Sequence, residues 1–385
     1  MIRVAIQMLI GDKLKYLTLV IGISFAALLI TQQASIFNGY ARQTGAWVRD
    51  SSAGDLWVMD EQVDMTVDLK PMSDTMLSRI RGVDGVEWAV PMYYGFVTAV
   101  FPDGTRRNVR VIGLDDASLI GAPPEMVEGQ LTDLRNDRAV FMNHEFADGP
   151  LQLKRAAGGP RPMRLGDRLS FNDNEVVVAG SFKSTREFFW EPVFYTTCSR
   201  ARFIYRDQRK GLQYVLVKVQ EGRDVTAVQS SIASMGGSIR AWTNQEWESR
   251  TMWWILQQTG ILINFGITIV LGLVIGLLVA GQTFYTFVLD NLRHFGALKA
   301  MGMRNSSILL MITTQVTVVS LMGFGIGLGM ATISGNSLAR VGLAFEMNWP
   351  IVVASGVGIL VCSLFAGFLG LVRVIRLEPA IVFRS

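Results

Sequence analysis

The 385-residue sequence contains two cysteines, Cys198 and Cys362, and two histidines, His144 and His294. These are too few for a zinc cluster or a disulfide framework, so each cysteine is expected as a buried thiol. No G-x-x-x-x-G-K-[ST] stretch occurs, which excludes the backbone nest that cradles nucleotide phosphates. A G-x-S-x-G elbow is also missing, and His144 stands beside Glu145 with no cysteine near it, so no hydrolytic constellation emerges. No catalytic, cofactor-binding or metal-ligating residue is expected. Charge is sparse as well, at 18% of residues, and four long segments have none at all. What fills the chain instead is apolar: half of it is hydrophobic and its mean hydropathy is +0.32. So positive an average excludes a disordered chain and is rare in a soluble one.

A hydrocarbon core about 30 Å thick is crossed by about 20 helical residues. The uncharged segments 17–37, 261–287, 308–333 and 351–372 all reach that length. The first follows a basic start (Arg3, Lys13, Lys15), as a signal peptide does, but no A-x-A-like site comes after it. A retained anchor is therefore expected. The remaining pieces are an amphipathic N-terminus (1–16), a large domain (38–260), a loop (288–307), a short loop (334–350) and a tail (373–385). Nine basic and three acidic residues fall in the N-terminus, the 288–307 loop and the tail, a balance of +6. The 334–350 loop holds only Arg340 and Glu346, and the large domain has 26 basic against 28 acidic residues. By the positive-inside rule both termini and the 288–307 loop are cytoplasmic, and the large domain and 334–350 loop lie outside. Trp47, Trp253, Trp254 and Trp349 then fall near the outer interface, where an amphipathic ring is favoured. Trp47 has a second reading as domain core.

The large domain mixes strand and helix patterns. A helix is expected from Ser73 to Arg81, ended by Gly82, then a turn at Val83-Asp84-Gly85 and an extended run over 86–101. Pro102-Asp103-Gly104 reads as a hairpin turn returning through Val109–Gly113. Asn172-Asp173-Asn174 reads as another, between Leu169–Phe171 and Val176–Ala179. Tyr214–Val219 is a strand and Val225–Met235 a helix, so the domain is α+β. Basic residues gather at Lys154, Arg155, Arg161 and Arg164, and again at Arg200, Arg202, Arg206, Arg209 and Lys210. They read either as a docking face for an acidic partner or headgroups, or as a solvated surface. Phe188-Phe189-Trp190 reads as core or as part of a substrate path.

In the later spans Gly272 and Gly276 form one G-x-x-x-G, and Gly323/Gly327 and Gly325/Gly329 form two more, with Gly356, Gly358, Gly367 and Gly370 following. That spacing lets helices approach closely where lipid supplies no hydrophobic drive. No ionisable residue lies in any span to mark an ion path, which argues against a transporter driven by an ion gradient. Between the second and third spans, Leu289, Leu292, Phe295 and Leu298 step by three, with Asp290 and Arg293 spaced to pair and Gly302 placed to end the helix. Such a helix suits docking in a partner's groove, or lies on the headgroups.

The layout of one span, a large outer domain and three further spans resembles the FtsX/MacB-type permeases of ABC systems. The run LRHFGALKAMG over Leu292–Gly302 is similar to that family's loop after its second span, and RLEPA over Arg376–Ala380 to its closing motif. IRGVDGV over Ile80–Val86 and LGDRL over Leu165–Leu169 resemble short motifs of the MacB-type periplasmic domain. Loop wording and length resemble the DevC-like branch, which works with a separate ATPase and a membrane-fusion partner. The fused nucleotide-binding domain of the MacB pattern is missing. The fold implied is a membrane protein with four transmembrane α-helices and a large α+β, MacB-like extracytoplasmic domain inserted between helices 1 and 2. The resemblance implies a homodimer in a bacterial inner membrane, carrying two copies of an ABC ATPase subunit that holds ATP and Mg²⁺, and it implies no nucleic-acid partner. It places Leu292, Phe295, Leu298 and Met301 as knobs in the ATPase groove, and Arg293, His294 and Lys299 as orienting charges before Gly302. Export of a lipid-like or amphiphilic substrate is the expected function. The alternative is an FtsX-like transducer controlling an extracytoplasmic cell-wall hydrolase.

Overall fold

The computed structural model describes residues 2–11, 13–153, 159–189, 191–205, 211–340 and 342–375. Two compact units divide at Ala41/Arg42 and again at Gln258/Thr259. In chain order, α1 (Ile2–Gly11) and α2 (Lys13–Thr44) come first, then α3 (Ala46–Asp50), β1 (Leu56–Asp60), β2 (Met72–Ser73), α4 (Thr75–Arg81), β3 (Val86–Val100) and β4 (Arg106–Leu114). Next are β5 (Glu125–Glu128), β6 (Ala139–Asn143), β7 (Arg168–Phe171), β8 (Asn174–Lys183), β9 (Val193–Thr197), α5 (Cys198–Ile204) and β10 (Gly211–Leu212). They are followed by β11 (Tyr214–Val219), α6 (Val225–Ser234), β12 (Ile239–Thr243), α7 (Asn244–Gln258), α8 (Ile261–Asp290), α9 (Leu292–Ala300), α10 (Asn305–Arg340) and α11 (Trp349–Ile375).

The unit from Arg42 to Gln258 contains two lobes. Strands β1, β3, β11 and β12 with helices α4 and α6 make a β-α-β…β-α-β repeat, ordered β12-β1-β11-β3 with every neighbour antiparallel. This is the split βαβ arrangement of ferredoxin-like folds. Strand alternation separates its faces. Leu56 and Val58 join Met76, Ile80, Val228 and Ile232 beneath the helices, while Trp57 and Met59 join Trp47, Tyr214 and Trp247 on the other side. Asp224 caps α6 by accepting a hydrogen bond from the Thr226 amide at 3.0 Å.

The second lobe is inserted between β3 and β11, and continues the sheet as β3-β4-β9-β6-β8-β5 with parallel pairs β4/β9 and β6/β8. The two lobes share one strand in sequence: residues 86–92 of β3 pair with β11, and residues 93–100 pair with β4. The β7–β8 turn uses Asn172 (φ +46°) and Asp173 (φ +63°), the double left-handed geometry of a two-residue I′ hairpin. The core of this lobe gathers Val109, Val111, Val140, Phe171, Val178 and Phe194 with Cys198. Cys198 is 4% exposed, and burial raises its thiol pKa to about 11. Trp47 is 3% exposed and packs 4.8 Å from the Tyr94 ring and 5.1 Å from the Trp57 ring, so of its two readings the core one holds.

In the other unit, four helices are long and apolar enough to cross a membrane: Lys13–Thr44, Ile261–Thr286, Asn305–Arg340 and Trp349–Phe368. The chain is thus a membrane protein of four spanning helices with an α+β domain inserted after the first. Ile23, Ala27, Ala280, Phe284, Ile312 and Val319 are among the residues forming their shared core, and α11 packs on both α8 and α10. Cys362 of α11 is half-buried, less than expected. The α10–α11 connection ties back to α2. The Glu346 amide donates to the Ser35 carbonyl at 3.1 Å, and Asn38 Nδ2 donates to the Glu346 carbonyl at 3.1 Å. Gly39 makes room for this: a Cβ there would stand 2.6 Å from the Ala344 carbonyl oxygen.

Candidate functional site

Helix α9 is a nine-residue segment between two spanning helices. Its C-terminal end is closed by a pair of hydrogen bonds: the Gly302 amide donates to Lys299 O at 3.1 Å, and the Met303 amide to Leu298 O at 3.1 Å. Gly302 has φ +88°, so this is a Schellman end that needs a left-handed residue where the sequence places its glycine. His294 and Met301 are exposed, the latter at 75%, while Leu298 and Lys299 are half-buried. The side chains of Leu292, Arg293 and Phe295 lie outside the described residues. Asp290 at the end of α8 forms an ion pair with Lys15 at the start of α2, a long-range partner that i,i+3 spacing does not reveal. Met303, just past α9, is partly buried and packs against the apolar core that the spanning helices share with α1. Gln315 of α10 is 1% exposed and donates to the Ala5 carbonyl of α1 at 2.9 Å.

The small residues sort by what they meet. A Cβ at Gly276 would stand 2.8 Å from the Ala26 Cβ, at Gly323 2.7 Å from the Ile23 side chain, and at Gly327 2.6 Å from the Ala27 Cβ. Gly272 meets Ile30 at 3.1 Å. All four partners belong to α2, so both motifs serve packing within one chain. Gly325, Gly329 and Gly358 have nothing within 4 Å. Gly356 faces Phe324 at 3.1 Å and Gly367 faces Val316 at 2.5 Å.

At the base of the outer domain, the arriving and departing chain ends are tied together. Arg49 of α3 forms an ion pair with Glu248 of α7, whose side chain lies over Gly45. Trp57 Nε1 donates to Asn244 Oδ1 at 2.7 Å, and Asn244 Nδ2 donates to the Gly54 carbonyl at 2.8 Å. Trp47, Trp57, Tyr94, Tyr214 and Trp247 fill the space between. Beside this neck, Arg110 of β4 is fully buried, ion-paired with Glu187, and donates to the Phe189 carbonyl at 3.0 Å. Sequence reasoning missed Arg110 because Val109-Arg110-Val111 reads as a strand with one wet face. In the structure β4 is covered on both faces, so the intervening arginine has no water to reach.

The basic clusters are partly neutralised. Arg161 makes a two-pronged ion pair with Asp167, at 2.7 and 2.5 Å, and Arg200 lies 3.3 Å from Asp137. Lys154, Arg155, Trp190, Arg206, Arg209, Lys210 and the closing motif Arg376–Ala380 lie outside the described residues. Among the described residues no group of three metal-ligating side chains gathers.

Residues 16–235 match the MacB-like periplasmic core domain, and residues 266–379 match the FtsX-like permease C-terminal family. Uncharacterized ABC transporter permeases from two strains of Mycobacterium tuberculosis are 24% identical over 327 residues, covering 81% of this chain and 79% of theirs. Among solved structures, the extracellular domain of the noncanonic ABC-type transporter YknZ from Gram-positive bacteria is 13% identical, with a TM-score of 0.35 over 49% of this chain and 98% of that one. The periplasmic region of MacB from Actinobacillus actinomycetemcomitans is 12% identical, with a TM-score of 0.37 over 51% of this chain and 92% of that one. The core-domain match alone spans more than half of the sequence, and a permease match follows it in the order the topology requires, so the chain belongs to the FtsX/MacB-type permeases of ABC transporters.

Proposed function

We propose that this chain is the transmembrane subunit of an ABC export complex in the bacterial inner membrane, working as a homodimer with both termini in the cytoplasm. It receives the ATP-driven motion of a separate ATPase subunit on α9 and passes it to the outer domain by mechanotransmission. ATP and Mg²⁺ are held by that partner, since this chain has no phosphate-cradling motif. The substrate is lipid-like or amphiphilic, and a membrane-fusion adaptor completes the path outward.

The observation that carries this reading is α9 itself: a short, glycine-terminated helix on the basic side of the chain, between two uncharged spans, with His294 and Met301 open to a partner. A compact helix between two spans transmits displacement because its ends are fixed by the spans that flank it, whereas a flexible loop would absorb it. The resemblance to the DevC-like branch, which works with a separate ATPase, supports this source of the push.

The test is copurification from native membranes. Phe295→Asp places a desolvation-costly charge on the face assigned to the groove and should lower ATPase recovery at least tenfold, with the permease still membrane-inserted. Undiminished recovery would show that α9 is not the docking element.

A further inference from the structure

We propose that residues 184–189 form a strap that ties the inserted lobe directly to the neck of the outer domain, with Arg110 as the latch and Asp50 as the anchor. It rests on the mechanotransmission reading only for its purpose; the tie itself is a property of this chain alone.

The topology makes such a tie necessary. The chain reaches the outer domain through α2 and α3 into β1 and leaves through β12 and α7, so both covalent connections load the ferredoxin-like lobe at one end of the sheet. The inserted lobe joins that lobe along a single strand, β3, whose partner changes from β11 to β4 between Met92 and Tyr93. Apolar contacts across such a pivot resist separation but have no preferred direction. Directional bonds are needed to make the far lobe follow the neck.

Residues 184–189 supply them, in order along the strap. The Thr185 amide donates to Asp50 Oδ2 at 2.7 Å, and its hydroxyl donates to Asp50 Oδ1 at 2.9 Å. The Phe188 amide donates to the Gln43 carbonyl, in the last turn of α2, at 3.2 Å. Glu187, between these two anchors, turns the other way into the ion pair with Arg110, and Arg110 also holds the Phe189 carbonyl. The Arg110 backbone amide donates to Pro192 O at 2.9 Å, so the latch residue is bonded to the strap's continuation as well. Asn143 Nδ2, at the end of β6, holds Ser184 Oγ at 2.9 Å. The strap thus bonds to the neck at residues 43 and 50 and to the inserted lobe at β4 and β6. A charge-assisted pair in a desolvated site is short-ranged and geometrically specific, which suits a joint that has to transmit a small displacement.

The experiment uses the full-length chain in nanodiscs, with Cys198 and Cys362 replaced by alanine. Spin labels are placed at Ser52→Cys beside α3 and Val127→Cys on β5, the strand at the far end of the sheet. With the labelled chain diluted in an excess of unlabelled copies, so that a particle holds one labelled chain, the parent should give one narrow distance distribution by electron double resonance. Asp50→Ala with Thr185→Val changes one half-buried and one exposed position and should at least double its width, while Asp55→Ala, which breaks the Lys218 ion pair within the first lobe, should leave it unchanged. Arg110→Met should broaden it to the same extent. An unchanged width in the Asp50→Ala/Thr185→Val protein overturns the proposal. No ATPase is present in this measurement, so its failure is separate from failure of the copurification test.

Discussion

At the scale of single residues, the glycines of α10 give the cleanest contrast. Gly327 and Gly325 are two positions apart and look alike in sequence, but one is pressed against Ala27 and the other faces open space. Overpacking a tight contact costs about 1–3 kcal/mol, because neighbouring backbone has to move. Gly327→Leu should therefore lower the detergent melting temperature of the permease by several degrees, and Gly325→Leu should leave it nearly unchanged. Equal effects would mean that α2 and α10 do not approach as described. A second residue-scale prediction concerns Asp167. Burial alone would raise its carboxyl, but the Arg161 guanidinium and the Arg164 amide outweigh that and hold it below the ordinary carboxylate value. A carboxyl depressed in the folded state contributes stability above its unfolded pKa and loses it as pH falls through the folded one. Asp167→Asn should consequently destabilise the outer domain at neutral pH, and the difference from the parent should shrink only below the ordinary carboxylate pKa of about 4. Melting curves of the two proteins across that range check it.

At the scale of elements, the end of α9 depends on one backbone conformation. An L-residue forced into the left-handed region costs about 1–2 kcal/mol, so Gly302→Ala should fray the last turn and raise amide exchange at Met301 and Met303. Unaltered exchange would show that the φ of +88° is not required. This element was legible in the sequence because every signal for it is local: apolar steps of three, a flanking glycine and uncharged segments on either side. The β7–β8 hairpin was legible for the same reason, since Asn172 and Asp173 are residue types that tolerate left-handed backbone. Helices α3 and α7 were not, because their register is set by each other through Arg49 and Glu248, 199 residues apart. The split of the outer domain into a ferredoxin-like lobe and an insertion was also hidden. Strand patterns show where strands lie, but the pairing of β1 with β11 and β12 is non-local. Arg110 was concealed by alternation itself, since a polar residue between two valines signals a wet face only when the sheet has one.

At the scale of the whole molecule, connectivity and charge make one joint claim. The outer domain is a single insertion after the first spanning helix, so any topology that places 42–258 on one side of the membrane places 288–307 on the other. Six net positive charges on the three segments opposite that domain, against two net negative within it, are the basis of the proposed orientation by the positive-inside rule. A reporter is best inserted at Gly222, an exposed turn residue with φ +83° and no atom within 4 Å of its missing Cβ, because added chain there displaces nothing. An enzyme that is active only outside the cytoplasm should give full signal from that position and none from an insertion beside Met301. The charge argument also makes a quantitative demand: orientation follows Lys and Arg in the short segments rather than the content of the large domain. Replacing Lys13, Lys15, Arg293, Lys299 and Arg304 with glutamine should therefore produce a mixed population, with the signal from Gly222 falling below the parent's and a signal emerging from the insertion beside Met301. If the parent orientation persisted in full after that removal, the side assigned to α9 would lose its physical basis, and with it the placement of the ATPase.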